Sequence, residues 1–111
     1  MKDLMEYVNG IAEDLKKVYD GTAESIENDG EKMDFYEYFN DALDIEYMIG
    51  YDGEFRGVEI AVTLGGPNVY INTRRGDVVG FWGTDKAEAW IPSEICEEIN
   101  SIFEENYSCI R

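Results

Sequence analysis

A tight turn leads directly into an extended strand in the stretch Leu64-Gly65-Gly66-Pro67-Asn68-Val69-Tyr70-Ile71-Asn72-Thr73. The two glycines permit positive φ, the proline fixes one turn dihedral, and the asparagine side chain can bond to its own backbone. The residues that follow are rich in Val, Tyr, Ile and Thr, which favour strands. Because apolar residues recur at every second position on both sides of it, the stretch predicts the central turn of a β-sheet.

Four strands are predicted around this turn, joined by short connections. Strands joined in this way must be antiparallel neighbours, since a parallel crossover needs a much longer connection. Residues 83–90 are interpreted as a linker whose Ala87, Ala89 and Trp90 pack back onto the sheet. The predicted strands are Asp44–Ile49, Val58–Thr63, Val69–Thr73 and Val78–Trp82.

Helices are predicted before and after this sheet. Residues 2–19 carry apolar side chains at spacings of three and four, and Asp20-Gly21 is a good helix stop. A second helix is predicted over Met33–Leu43, residues 22–32 fit a short helix or a loop, and Pro92 and Ser93 open the last helix. The chain is therefore predicted to be one α+β domain, residues 1–111, with a four-stranded antiparallel meander, one or two N-terminal helices and one C-terminal helix. The helices are expected to cover the sheet face with Ile45, Tyr47, Ile49, Val58, Ile60 and Val62.

Acidic residues dominate the composition. The chain has 25 Asp and Glu against nine Lys and Arg, for a net charge of −16. Residues 1–55 hold sixteen acids and four bases, whereas residues 56–111 hold nine acids and five bases. Such a field repels nucleic acid and anionic membranes and attracts basic proteins. Direct binding of DNA or RNA is not expected, because Lys and Arg supply most of that affinity.

The sequence favours binding over catalysis. It has no histidine, the side chain most used as a general base near neutral pH, and a cysteine nucleophile would lack its histidine partner. No secretory signal and no run of about 18 apolar residues is present. We therefore expect a non-enzymatic protein without a cofactor, located in the cytoplasm of a bacterial host cell and bound to no membrane.

Two cysteines leave a metal or redox alternative open. Cys96 and Cys109 supply at most two of the four ligands of a structural zinc site, so carboxylates would have to complete it. Neither Gly30 nor Gly53 places acids at the ligand positions of an EF-hand loop. Cys96 also fits a small core residue, next to the buried face of the last helix. A regulatory protein that uses both cysteines remains an alternative.

Nine residues between positions 34 and 54 are candidates for binding a partner. Three acids recur at helical spacing on the second predicted helix and therefore form a row. Two more acids share one face of the first strand, about 6.7 Å apart, and a further two lie in the next turn. Two tyrosines flanked by acids are candidate hot spots. The set is Asp34, Glu37, Tyr38, Asp41, Asp44, Glu46, Tyr51, Asp52 and Glu54.

The acidic set predicts a surface that imitates the phosphates of nucleic acid. Like charges placed so closely repel one another and lower stability, so a fold that keeps them indicates a use for them. Acidic surfaces also promote solubility, and halophilic proteins are acidic throughout. Neither explanation accounts for the concentration of acids in one half of the chain. A basic groove of a nucleic-acid-binding protein is the predicted partner, and an ordinary acidic interaction domain is the remaining alternative.

Three segments carry a resemblance to a group of known proteins. They are Tyr38-Phe39-Asn40-Asp41-Ala42-Leu43-Asp44-Ile45-Glu46-Tyr47, the stretch Gly65–Thr73, and Gly80-Phe81-Trp82-Gly83. Over residues 38–106 the chain resembles small acidic proteins of phages and conjugative elements in gut Firmicutes, which are similar in size, charge and setting to anti-CRISPR inhibitors of type II effector nucleases. The resemblance implies an inhibitor that blocks DNA binding by such a nuclease, which presents basic surfaces to its duplex motif and heteroduplex. Arg74 and Arg75 would then orient the docking.

Overall fold

Five antiparallel strands form one sheet in the order β1-β2-β3-β4-β5. The structure, a computed structural model, describes residues 2–22 and 33–110, so most of the prediction for residues 22–32 lies outside the described residues. The strands are β1 Asp44–Ile49, β2 Phe55–Thr63, β3 Asn68–Asn72, β4 Asp77–Trp82 and β5 Asp85–Trp90. The helices are α1 Lys2–Asp20, α2 Phe35–Tyr38 with a 3₁₀ turn at Phe39–Asp41, and α3 Ser93–Ile110. The predicted α+β class, the N-terminal helix and the C-terminal helix are confirmed.

The fifth strand corrects the predicted four-stranded meander. Residues 85–90 form a strand and not a linker, and β5 pairs with β4 from Asp77↔Trp90 to Trp82↔Asp85. The turn between them has two residues, with Gly83 at φ +63°, and a leading glycine is typical of such hairpins. The segment contains Asp, Lys, Glu and two Ala, which are depleted in strands. Pairing with β4 and packing against α1 outweigh that low propensity.

The central turn has the backbone that its sequence predicts. Gly65 and Gly66 have φ of +103° and +142°, a region that favours glycine. The backbone N–H of Gly65 donates to Oδ1 of Asn68 at 2.7 Å. The turn therefore joins β2 to β3 through local backbone chemistry.

The first helix ends where the sequence predicts. The N–H of Gly21 donates to the carbonyl of Val18 at 3.2 Å, and the N–H of Thr22 donates to the carbonyl of Lys17 at 2.9 Å. With Gly21 at φ +76°, this is a Schellman cap, which satisfies carbonyl groups at the helix end.

The second helix is shorter than the predicted span of Met33–Leu43. Phe35 and Phe39 lie four residues apart and are both buried in the core. Their rings stack at 5.8 Å between centroids. Ala42 is already extended, with ψ of 138°, because the chain must turn there to enter β1. The row of acids expected on a longer helix is therefore interrupted.

One face of the sheet carries the hydrophobic core and both long helices. Helix α1 packs across β4 and β5, and α3 packs against β2. On β1, Tyr47 packs against α3, whereas Ile45 and Ile49 on either side of it remain 36% and 38% exposed. The predicted covered face is thus correct for β2 and wrong for these two residues of β1. The fully buried strand residues are Val58, Ile60, Val69, Ile71 and Val78.

Candidate functional site

The other face of the sheet is the candidate site, and we call it the open face. Side chains alternate along a strand, so each strand that buries residues under the helices turns its intervening residues to this face. Two depressions of about 450 Å³ and about 220 Å³ lie on it. They share Glu59 and Tyr70 and therefore form one trough across the sheet. The trough is lined by Asp44, Glu46, Glu59, Ala61, Leu64, Tyr70, Arg75, Asp77, Val79, Phe81, Lys86, Glu88 and Trp90.

One end of the trough is acidic. Glu46 lies directly opposite Glu59 in the β1–β2 register, and Asp44 lies two residues from Glu46 on the same face. Directly opposite side chains have Cβ atoms about 5 Å apart, and like charges in such pairs are destabilising. In the described part of the chain, the ion pairs are Lys16–Glu13, Arg56–Asp52 and Arg75–Asp77, and none involves these three acids.

In the middle of the trough, the charge of Arg75 is compensated by an ion pair with Asp77. Nε of Arg75 donates to both carboxylate oxygens of Asp77, at 3.2 and 3.1 Å. This hydrogen bond raises the pKa of Arg75 above its ordinary value, with the charges of Asp77, Glu59 and Glu88 adding to the effect. Asp77 is buried, although Arg75 is half exposed. Because acids surround the guanidinium, Arg75 does not reverse the negative charge of the open face.

Asn72 connects the arginine turn to the acidic end. Its Oδ1 accepts the backbone N–H groups of Arg74 and Arg75 at 3.0 and 2.8 Å. Its Nδ2 donates to Oε2 of Glu59 at 3.2 Å. An asparagine that bonds to the backbone two and three residues on fixes a turn. The same side chain therefore positions the β3–β4 turn and holds one of the three acids.

The other end of the trough is aromatic. The rings of Tyr70 and Phe81 meet edge to face at 6.4 Å between centroids. Nζ of Lys86 lies 6.0 Å from the centroid of Phe81. Trp90 is 72% exposed, unlike its expected packing onto the sheet. Exposed aromatic side chains next to a polar rim are typical of protein-binding sites.

The predicted acids of the second helix lie on the opposite, helical side of the molecule. Oδ1 of Asp34 accepts the N–H of Glu37 at 2.9 Å and caps α2. Asp41 lines a small depression of about 210 Å³ together with Ile60 and Val62, which belong to the helical side of β2. The hydroxyl of Tyr38 lies 3.5 Å from Oδ2 of Asp14. These residues therefore do not continue the row of Asp44 and Glu46, which lie on the open face.

The remaining predicted residues lie in the β1–β2 turn, at one end of the sheet. Tyr51 is fully exposed, and Glu54 is exposed as well. Oδ1 of Asp52 accepts the N–H of Glu54 at 3.0 Å, and Oδ2 pairs with Arg56 at 2.9 Å. The hydrogen bond from Glu54, followed by the charge of Arg56, lowers the pKa of Asp52. Asp52 thus stabilises the turn, and Arg56 compensates part of its charge.

The two cysteines cannot share one metal ion. Both lie on α3, thirteen residues apart, which at 1.5 Å per residue separates them by about 20 Å. Cys96 is buried and Cys109 is exposed. Burial raises the pKa of the Cys96 thiol, and the charge of Asp77 adds to the effect. Within residues 2–22 and 33–110, no group of three or more Cys, Asp and Glu side chains is placed to hold a metal.

Of the residues that line the trough, only Asp44 and Glu46 belong to the predicted site, and the residues that were missed include Glu59, Glu88 and Trp90. Glu59 alternates with Val58 and Ile60, which marks it as facing away from the core. Its position opposite Glu46 depends on the strand register, which shifts at Met48/Ile49. Glu88 and Trp90 can be placed on the open face only when residues 85–90 are known to form a strand.

No family model, curated protein or solved structure matches this chain. None of the helices in the described ranges is both long and apolar enough to span a bilayer.

Proposed function

We propose that the open face binds a basic, nucleic-acid-binding surface of another protein and excludes nucleic acid from it. The observation that carries the proposal is the group formed by Asp44, Glu46 and Glu59. These carboxylates lie on adjacent strands of a rigid sheet and have no ion-pair partner in the described chain. Their spacing of roughly 5–7 Å follows from strand geometry. A basic partner relieves their mutual repulsion, so binding and charge neutralisation favour each other.

The aromatic end of the trough supplies the second part of the interaction. Charge pairs at the rim of an interface act mainly on association rate and orientation, whereas buried aromatic side chains carry much of the affinity. Trp90 and Phe81 are exposed and lie beside Lys86 and Glu88 on β4 and β5. Arginine side chains of a partner can stack on such rings while their guanidinium groups meet the carboxylates.

The target class that we propose is a type II CRISPR effector nuclease, as the sequence resemblance suggests. Such an enzyme holds its guide–target heteroduplex in a positively charged channel and reads a short duplex motif with arginines. The protein would act stoichiometrically and without chemistry of its own. The absence of histidine from the chain supports this mode of action.

A cleavage assay tests this function. A guide-loaded effector is mixed with the protein and then with target DNA, and in a second series with target DNA first. We expect cleavage to be inhibited at about one protein per effector, and much less when DNA is bound first. Full cleavage by several effectors at a large excess of protein would contradict the proposed target class. Equal inhibition in both orders would contradict competition for the DNA site.

Two triple variants separate a local from a general effect of charge. The open-face variant is Asp44→Asn, Glu46→Gln and Glu59→Gln, and we expect it to lose inhibition. The α3 variant removes the same charge through Glu97→Gln, Glu104→Gln and Glu105→Gln, at exposed positions on the helical side, and we expect it to inhibit like the parent. Equal loss in both variants would mean that net charge acts and not the open face.

A further inference from the structure

The sheet has two free edges, and they differ in how well they are protected. Within the described chain, β1 pairs only with β2, and β5 pairs only with β4. An edge strand presents unpaired N–H and C=O groups that can pair with another chain. On β5, Ala87 is buried and α1 packs along the strand. Its helical side is therefore covered by α1.

The edge at β1 is open on its helical side. Ile45 and Ile49 are more than a third exposed, and Leu43 just before the strand is 58% exposed. Tyr47 lies between the two isoleucines on the strand and packs on α3. Its ring centroid lies 6.3 Å from that of Phe103 and 5.9 Å from that of Tyr107. An added strand would cover the two isoleucines. The opposite face of β1 carries Asp44 and Glu46.

We propose that β1 pairs with an extended strand of a partner protein, in which basic and aliphatic residues alternate. In such an addition, backbone hydrogen bonds give affinity and alternate side chains give specificity. The aliphatic side chains of the partner would lie beside Ile45 and Ile49, and its Lys or Arg side chains beside Asp44 and Glu46. The inference concerns the strand edge and does not require that the open face binds a nuclease.

Charge selects this occupant over a second copy of the chain. Two copies of β1 joined antiparallel would form a continuous sheet and place Asp44 and Glu46 of both copies on the same face. Opposed like charges destabilise strand pairing, and a net charge of −16 on each copy adds repulsion. Acidic residues on an edge are also a known protection against uncontrolled pairing. A basic strand can pair with β1 despite this protection, because its positive charges attract Asp44 and Glu46.

Synthetic peptides test the proposal with the full-length protein. The probe has six residues, matching the six of β1, with Lys and Val alternating. One control has the same composition in two blocks, and another has N-methyl groups on every second amide, which keeps charge but removes backbone donors. We expect the alternating peptide to bind at least about tenfold more tightly than either control, as backbone pairing requires. Amide hydrogen exchange should slow in β1 and not in β5.

Variants locate the binding to one edge. Ile45→Thr with Ile49→Thr keeps every acid and a strand-favouring residue type, and we expect peptide binding to weaken several-fold while cleavage inhibition is unchanged. Glu88→Lys on β5 is the control, and it should leave the preference for the alternating peptide intact. Equal affinity for the block or N-methylated peptide would overturn the proposal in favour of charge attraction alone. Dimerisation of the parent that Ile45→Thr with Ile49→Thr abolishes would overturn it in favour of a second copy.

Discussion

Gly80 sets the distance between α1 and the sheet. It lies in β4 on the helical side, where a Cβ atom would come within 2.8 Å of Val8 Cγ2 and 2.9 Å of Leu4 Cδ1. Both neighbours are fully buried, so neither methyl group can move into solvent. Gly10 on α1 is the opposite case, because a Cβ there would meet nothing within 4 Å.

Alanine at these two glycines should therefore have opposite effects. We expect Gly80→Ala to lower the free energy of unfolding by about 1–3 kcal/mol through overpacking. Gly10→Ala should raise it by about 1 kcal/mol, since glycine is a poor residue inside an exposed helix. Urea denaturation of the two variants checks both values. A neutral or stabilising Gly80→Ala would contradict the close packing of α1 on β4.

Tyr38, predicted as a hot spot for a partner, is engaged within the molecule. Burial raises its pKa well above the ordinary value of 10.0, and the nearby Asp14 adds to the effect through its charge and a hydrogen bond. A group whose pKa is raised on folding stabilises the fold below its unfolded pKa, and this contribution is lost as the pH rises. Stability should therefore fall above about pH 10 in part because of this one phenol.

Tyr38→Phe removes that titration while keeping the ring. At neutral pH the variant should lose less than about 1 kcal/mol, because the hydroxyl makes one long hydrogen bond. Between about pH 10 and pH 11 it should lose up to about 1 kcal/mol less stability than the parent. Unfolding free energies across this range are the measurement. Parallel curves for parent and variant would show that the hydroxyl of Tyr38 ionises freely in the folded protein.

At the level of elements, periodicity predicts most of the fold. Alternating apolar residues identify β1 and the core of β2, and the spacing of Leu4, Val8 and Leu15 identifies α1. Two elements are not predictable from local sequence. Strand β5 has low strand propensity and depends on β4 for its pairing. Helix α2 ends early because β1 must begin, which is a constraint of the whole fold.

Thr73, for which the sequence predicts no role, links helix α3 to the sheet by hydrogen bonds. Its buried hydroxyl accepts the N–H of Val58 at 2.9 Å and lies 2.5 Å from Oδ1 of Asn100 on α3. We expect Thr73→Val to lower the unfolding free energy by about 1–3 kcal/mol, because a buried N–H and a side-chain amide lose their partner. Thr63→Val, at a half-buried position of β2, is the control and should change it by less than about 0.5 kcal/mol. Similar small effects in both variants would exclude this fastening role.

Strand register also decides which acids can act together. Asp44 and Glu46 are predictable as neighbours from one strand alone. Glu59 joins them only through its place opposite Glu46, and that place follows from a turn and a register shift that the sequence does not specify. The sequence therefore predicts the two acids on β1, but it does not predict the surface that they form with Glu59.

At the scale of the whole molecule, acids that are concentrated in the N-terminal half of the sequence lie on different sides of the folded protein. The acids of α1 and α2 do not form one surface with Asp44 and Glu46, because the two helices lie on one side of the sheet and Asp44 and Glu46 face the other. The open face gains Glu59 and Glu88 from the less acidic half. The proposed binding depends on this face, with its acidic and aromatic ends, and not on the net charge alone.

The decisive measurement of this binding is the affinity of the protein for a guide-loaded type II effector at low and at moderate salt. We predict that the parent binds more weakly as salt rises, because screening weakens charge pairs. The open-face variant should bind on the order of 100-fold more weakly at low salt, about 1 kcal/mol for each lost carboxylate, with a flatter salt dependence. The α3 variant should match the parent. Parent-like affinity and salt dependence in the open-face variant would show that the partner is not bound through the open face.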